Sequence, residues 1–369
     1  MIARPILFLF SSMNFPIPAF FNSKTISQIW RVPYQQRAAD AIAYRQAHNV
    51  TAAHMDTACV CLLAIDVQNT FCQPGFELFV GGRSGMGAVE DTRRLCEFVY
   101  RNLGTITEII PTMDTHNAVQ IFHPVFWVNQ AGEHPTPMTM ISFDDVKQKK
   151  WQVNPAIAKD LSRWQADRQS DNLGPDATAF AYHYVQELSD RGKYPLTIWP
   201  YHSMLGGIGH ALVPAFEEAC FFHSMVRAHP TQFEAKGDNP LTENYSVLSP
   251  EVLTDDRGEA IAEKNNQLIQ HLLEFDAVII AGQAKSHCVA WTVSDLLEEI
   301  KSRDPALAQK VYLLEDCTSP VVVPGVVDFT DLANETYENF HQAGMHIVRS
   351  VNSLEEWPLF PKVKLDSLS

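Results

Sequence analysis

Basic residues are scarce in this chain: 28 lysines and arginines stand against 43 aspartates and glutamates, a formal net charge of −15. No Lys/Arg cluster breaks the acidic background, which argues against a phosphate-backbone partner, and no nucleic-acid binding is expected. Long apolar runs are missing as well. The opening stretch Met1 to Phe10 is too short to span a bilayer and is followed by Pro16 and Pro18. As a signal peptide it is a poor match: Arg4, the apolar Ile6 to Phe10 and Ser11-Ser12 supply the required parts only in outline. Neither a membrane partner nor export is expected, and we read a cytoplasmic protein. The seven cysteines (Cys59, Cys61, Cys72, Cys96, Cys220, Cys288, Cys317) form an odd set without short regular spacing, which fits a reducing compartment better than a disulfide framework. Internal repeats and low-complexity tracts are absent.

What remains is ordinary globular composition, 46% hydrophobic and 19% charged over 369 residues, enough to bury a sizeable core. Residues 1–55 read as an N-terminal extension, Pro-rich and aromatic at first, then helical from Tyr34 to His48, packing on the core or on a neighbouring subunit. From Val60 short apolar runs alternate with amphipathic segments. The runs are Val60 to Asp66, Glu108 to Met113, Thr197 to Trp199, Ala277 to Ala281, Val311 to Glu315 and His346 to Val348. Helices are expected near Ala88 to Asn102, Gly209 to Phe222, Asn265 to Glu274, Ala290 to Lys301 and Asp328 to Ala343. Such alternation predicts an α/β fold, a doubly wound and mainly parallel sheet with helices on both faces. The main domain is placed at 56–355, with a C-terminal tail at 356–369. Between 129 and 193 the alternation lapses; Lys147, Lys149, Lys150, Asp160, Arg163, Asp167 and Arg168 mark a polar, partly helical insertion, expected over the active-site side or at a subunit interface.

In an open α/β sheet, ligands bind beyond the carboxyl ends of the strands. The run Asp276 to Cys288 reads as a buried strand that stops at Gly282 and delivers Cys288 to the turn before a helix. A helix N-terminus stabilises a thiolate, so Cys288 is the candidate nucleophile, although a lone cysteine is usually buried and inert. Asp66 at the end of another strand is placed to exchange a proton with a thiol, or else to cap a turn. Lys236, in Phe233-Glu-Ala-Lys-Gly237, would hold Asp66 ionised and stabilise a thiolate; alone it would be a surface charge. Asp114-Thr-His116 and, after Trp199-Pro-Tyr, His202 offer one carboxylate and two imidazoles, a three-ligand open site for a catalytic divalent metal such as zinc, iron or manganese. His123 is either a fourth ligand or a structural histidine.

The order Asp66-x-Gln-x-x-Phe71, Asp114-x-His116, Trp199-Pro-x-His202, Lys236-Gly and Gly282-x-Ala-x-x-x-Cys288 resembles the isochorismatase-like cysteine hydrolases, and within them looks most like nicotinamidases. The match covers roughly 60 to 128 and 194 to 350. The resemblance implies that Cys288 attacks a carboxamide carbon while Asp66 takes the thiol proton and later protonates ammonia, with Lys236 supporting both charges. It implies an oxyanion hole from the N–H groups of Ala284 and Cys288, and a cis Gln283–Ala284 peptide. It also implies zinc or another divalent ion on Asp114, His116 and His202 that takes the ring nitrogen of nicotinamide, with Phe71 and Trp199 sandwiching the ring and Tyr245 near the pocket. A homo-oligomer would be usual for such a protein.

The chain also departs from that pattern. Lys285-Ser286 stands where Thr-Asp or a similar pair is usual, Gln283 replaces an aliphatic residue, Ser203 follows His202 where cysteine is frequent, and Gly206-Gly207 stands where Gly-Thr is common. Lys285 is expected to add positive charge beside the nucleophile, and Gln283, Lys285 and the insertion to reshape the pocket. Another carboxamide, a ureido compound or an acidic substrate therefore stays open beside nicotinamide. A non-catalytic binding module is the reading from a different class, and the intact Asp, Lys and Cys set speaks against it.

Overall fold

A computed structural model describes residues 14–158 and 177–361. The opening Met1 to Phe10, the charges Asp160, Arg163, Asp167 and Arg168, and most of the expected tail lie outside the described residues.

Six strands form the central sheet: β1 (Val60–Ile65), β2 (Glu108–Asp114), β3 (Glu234–Lys236), β4 (Ala277–Gly282), β5 (Val311–Leu314) and β6 (His346–Val348). Their spatial order is β6-β5-β4-β1-β2-β3, and every neighbouring pair is parallel. The expected doubly wound parallel sheet is what the chain forms. Strands in such a sheet are covered on both faces and so read as unbroken apolar runs, as Val60-Cys-Leu-Leu-Ala-Ile65 does.

Alternate residues of each strand feed two cores, because successive side chains leave a strand on opposite faces. The covering helices are α1 (Tyr34–His48), α2 (Gly87–Arg101), α3 (Ala177–Asp190), α4 (Pro214–Arg227), α5 (Asn266–Glu274), α6 (Ala290–Arg303) and α7 (Thr330–Gln342). Cys61, Leu63, Ile65, Val278, Ile280 and Leu313 pack with α5 and α6 and with Tyr337 and Phe340 of α7. Leu62, Ala64, Ile279, Ala281 and Leu314 pack with Phe98 and Val99 of α2 and Phe216 and Phe222 of α4. Each such fully buried Leu or Ile contributes ~1.5–3 kcal/mol, and truncating Leu62 or Leu63 to alanine would cost ~2–5 kcal/mol.

The N-terminal segment lies on the second of these layers. Helix α1 packs along α4, with Arg37 Nε 2.5 Å from Glu218 Oε1 and the same guanidinium 4.0 Å above the Phe20 ring. Helix α1 ends where Asn49 turns left-handed at φ 51° and its N–H caps the Arg45 carbonyl.

Two readings of the chain are corrected here, and one strand is added. Thr197 to Trp199 is not a strand of the main sheet: Leu196–Thr197 pairs antiparallel with Met140–Ile141, which ties the insertion to this segment. The edge strand β3 went unread because Glu-Ala-Lys is three residues long with one apolar member. Helix α4 starts at Pro214, where proline is tolerated in the first turn, rather than near Gly209, and runs on to Arg227.

Candidate active site

Four strand ends converge on one cavity. Asp66 follows β1, Asp114 closes β2, Lys236 closes β3, and Gly282 of β4 leads into the loop that carries Cys288. Strands β1 and β4 are neighbours from which the sheet winds outward in both directions, so this is the topological switch point at which doubly wound sheets bind ligands. A cavity of about 400 Å³ opens there, with Asp114, His202, Lys236 and Cys288 in its wall together with Phe71, Trp199, Tyr245 and Ala284. Asp66 and His116 stand behind that wall, fully buried.

Local backbone explains how each group arrives. Gly282 has φ 113°, and a Cβ there would fall 1.9 Å from the Ile65 carbonyl oxygen, so only glycine lets β4 turn against the end of β1. The Gln283–Ala284 peptide is cis, as the resemblance implied. A π-helical turn, Lys285–Val289, then places Cys288 at the start of α6. Asp66 takes φ 49°; its N–H donates to Thr112 Oγ1 at 3.0 Å, and that hydroxyl donates back to the Asp66 carboxylate.

Lys236 joins the polar groups. Its Nζ lies 3.0 Å from Asp66 Oδ2, 2.7 Å from Asp114 Oδ1, 2.9 Å from the Asn244 carbonyl and 3.7 Å from Cys288 Sγ. Burial works against its charge, but Asp114 and Asp66 outweigh burial and hold the ammonium protonated well above the ordinary lysine value. Burial pushes the Cys288 thiol well up; Lys236 opposes this, while the Asp66 and Asp114 carboxylates add to it. Burial also raises Asp66, against the pull of Lys236. Asp114 is held well below the carboxylate range, because His116 and Lys236 overcome its burial.

Asp114, His116 and His202 cluster with their ligand atoms within 4.8 Å of one another. His116 Nε2 lies 2.8 Å and His202 Nε2 3.4 Å from Asp114 Oδ2. Each histidine spends its other nitrogen on a backbone carbonyl: His116 Nδ1 is 2.9 Å from Gly237 O and His202 Nδ1 is 2.8 Å from Pro200 O. Those contacts set the tautomer that turns a bare Nε2 inward, as metal-ligating histidines require. His116 Nε2 is buried with no hydrogen-bond partner, although it lies against a carboxylate oxygen. Against burial, the Asp114 carboxylate raises the His116 pKa; with that ring neutral, Nε2 and the carboxylate oxygen are two acceptors facing each other, an arrangement that fits a divalent cation. Gly237, at φ 84°, makes room: a Cβ there would approach His116 Cε1 to 2.8 Å and Asp114 Oδ1 to 3.0 Å.

His123 stays outside that cluster, its ring centroid 5.9 Å from His116 and 6.2 Å from His202. Burial and the two neighbouring imidazoles push its pKa down to about 3. Of the aromatic residues, Phe71 meets His202 edge-on at 5.7 Å, and Trp199 Nε1 donates to the Tyr245 hydroxyl at 3.1 Å.

Two departures from the family pattern act elsewhere than expected. Lys285 turns away from the nucleophile, donating to Asn334 Oδ1 at 2.7 Å and lying 4.3 Å above the Tyr337 ring. Gln283 is a clamp rather than a pocket residue: its Nε2 donates to Asp91 Oδ2 at 3.0 Å and its Oε1 accepts from Ser319 N at 3.2 Å. The insertion does reach the site, with Pro137 and Met138 in the cavity wall.

Further groups went unread in the sequence. Gln68 brackets the backbone of Asp114, accepting from its N–H at 2.8 Å and donating to its carbonyl at 2.8 Å. Glu243 lines the cavity, accepts from Asn244 N at 2.9 Å, and is pushed up to about 7 by burial. His287, beside Cys288, also lines the cavity, and burial pushes it down to about 3. The glutamine in Asp66-x-Gln68 and the histidine before Cys288 were the available signals.

No protein-family model matches the chain, and neither does any curated protein. Among solved structures it is similar to the nicotinamidase/pyrazinamidase of Acinetobacter baumanii (18% identity, 79% of this chain and 96% of that one, TM-score 0.44). It is also similar to the yeast nicotinamidase bound to the inhibitor nicotinaldehyde (18% identity, 79% and 99%, TM-score 0.47). A third is the pyrazinamidase of Pyrococcus horikoshii in complex with zinc (17% identity, 79% and 98%, TM-score 0.39). No helix among the described residues is long and apolar enough to cross a membrane.

Proposed function

We propose that this chain is a metal-assisted cysteine amidohydrolase that converts nicotinamide to nicotinic acid and ammonia. The observation that carries this reading is the meeting of Cys288, Asp66 and Lys236 at one ammonium, beside the buried Asp114, His116 and His202 cluster. A binding scaffold has no physical need for a buried acid, ammonium and thiol in contact.

Asp66 takes the Cys288 proton as the sulfur bonds to the carboxamide carbon, and the carbonyl π electrons move onto oxygen. The N–H groups of Ala284 and Cys288 receive that oxyanion. The tetrahedral centre collapses, Asp66 returns the proton to the departing nitrogen, and ammonia leaves a thioester on Cys288. Water then adds to the thioester carbon, giving a proton to Asp66, and the carbon–sulfur bond breaks to release the acid and the reprotonated thiol. The raised thiol pKa makes the neighbouring base necessary, and Lys236 keeps Asp66 able to act as one. Phe71 and Trp199 hold the ring, with Tyr245 fixing the Trp199 indole. A divalent ion, zinc in the first instance, would be held by Asp114, His116 and His202 and would supply a Lewis acid toward the ring nitrogen.

Ammonia release from nicotinamide by the purified protein tests this reading. Wild type is expected to release ammonia while Cys288→Ala and Asp66→Ala do not; equal turnover by all three would overturn it.

A further inference from the structure

The cavity is larger and more apolar than one pyridine ring requires. At about 400 Å³ it falls within the ~300–1,000 Å³ range of pockets that enclose drug-sized ligands. Beyond the reactive groups, its wall is a collar from three segments: Phe76 and Phe79 after the Phe71 turn, Met138 of the insertion, and Val321, Val323 and Pro324 of a hairpin. Phe76, Phe79, Met138, Val321 and Val323 are half-buried, so their apolar faces wait at the mouth. Glu77 is the one charged side chain these segments contribute to the wall, and its Oε2 accepts from Thr70 Oγ1 at 3.0 Å.

Each segment is fastened to a part of the reactive centre. Val80 N donates to the Phe71 carbonyl at 2.8 Å. Met138 N donates to Ile198 O at 2.6 Å, and Ile198 N to Thr139 O at 2.8 Å, next to Trp199. Val321 N donates to Ser286 Oγ at 3.0 Å, two residues from Cys288. The hairpin pairs Val322–Val323 with Val327–Asp328, and Arg83 braces it through Asp328 at 2.7 Å. The collar is therefore preformed, and binding against it orders little.

We propose that the preferred substrate is a primary aromatic carboxamide bearing an apolar group on the ring, and that the collar binds that group. This rests on the amidase reading and narrows its substrate class. An anionic extension, such as a phosphorylated sugar, finds no cation in the collar.

Ammonia release from nicotinamide would be compared with release from nicotinamides carrying methyl, propyl, phenyl or carboxylate groups at ring positions 5 and 6. Burial of an apolar substituent predicts kcat/KM about tenfold above nicotinamide for the best propyl or phenyl compound, and no gain for the carboxylates. Met138→Asp and Val323→Asp should lower kcat/KM for that compound more than for nicotinamide. If nicotinamide is hydrolysed and every apolar substituent slows the reaction, the collar proposal fails and the amidase reading stands. Calorimetric binding to Cys288→Ala protein reads the collar without turnover. If wild type releases no ammonia from any amide but the variant binds the phenyl compound about tenfold more tightly than nicotinamide, the amidase reading and its substrate class fall while the collar stands as a binding site for the apolar group. Equal binding overturns the collar.

Discussion

Lys236 Nζ lies 2.7 Å from Asp114 Oδ1, so one buried ammonium couples the Asp114, His116 and His202 cluster to the Asp66 carboxyl and the Cys288 thiol. Neither half of the site is electrostatically independent of the other. Removing the ammonium leaves two buried carboxyls without their cation, a loss of ~3–5 kcal/mol for a broken buried pair. Lys236→Ala is therefore expected to lower the urea midpoint and to abolish ammonia release. In the fraction that stays folded, alkylation of Cys288 by iodoacetamide should require higher pH than in wild type. An unchanged alkylation profile would remove Lys236 from the account of the thiol.

Metal content gives a second test. Wild type purified without chelator is expected to carry a divalent ion that His116→Ala and His202→Ala lose, read by elemental analysis. His123→Ala should keep it, since His123 lies outside the cluster. Loss of metal in His123→Ala with retention in His202→Ala would reverse the ligand assignment.

Gly237 serves the same cluster through its backbone. Gly237→Ala forces a non-glycine residue to φ 84° and drives a methyl against His116 and Asp114. We expect a loss of ~1–3 kcal/mol together with lost metal, measured on one preparation by denaturation and elemental analysis. Gly258, which shares a positive φ of 80° but has open space around it, should lose stability without losing metal when changed to alanine.

The sheet and the candidate nucleophile were legible because they depend on short stretches of chain. An apolar run ending in a glycine or an aspartate marks a strand end, and strand ends are where a parallel sheet gathers its chemistry. What was not legible depends on register between distant segments. Thr112 orients Asp66 only because β1 and β2 pair as they do, and Glu243 reaches the cavity through a loop with no periodic signature. Lys285 shows the opposite error: three residues before Cys288, at the start of the π-helical turn, it aims its side chain at α7 instead of at the thiol.

Buried histidines make stability depend on pH. His223 is fully buried, donates Nε2–H to the Ile106 carbonyl at 2.9 Å, and is pushed by burial from 6.5 down to about 3. Its folded value lies below the unfolded one, so below 6.5 the unfolded chain takes up a proton that the folded chain refuses. Stability is then lost as pH falls from 6.5 toward 3, by up to ~1.4 kcal/mol per pH unit from this residue. His223→Gln keeps the donor without the titration. Between pH 7 and pH 5 its urea midpoint should fall less than that of wild type; an equal fall would contradict the assignment.

The central claim is a covalent one, that the acyl group of the amide passes through the Cys288 sulfur. Mass spectrometry of protein acid-quenched during nicotinamide turnover tests it most directly. The account predicts a fraction of chains heavier by one nicotinoyl group, with the added mass on the peptide that contains Cys288 and absent from Cys288→Ala. Ammonia release by Cys288→Ala at the wild-type rate, with no adduct in either protein, would contradict it.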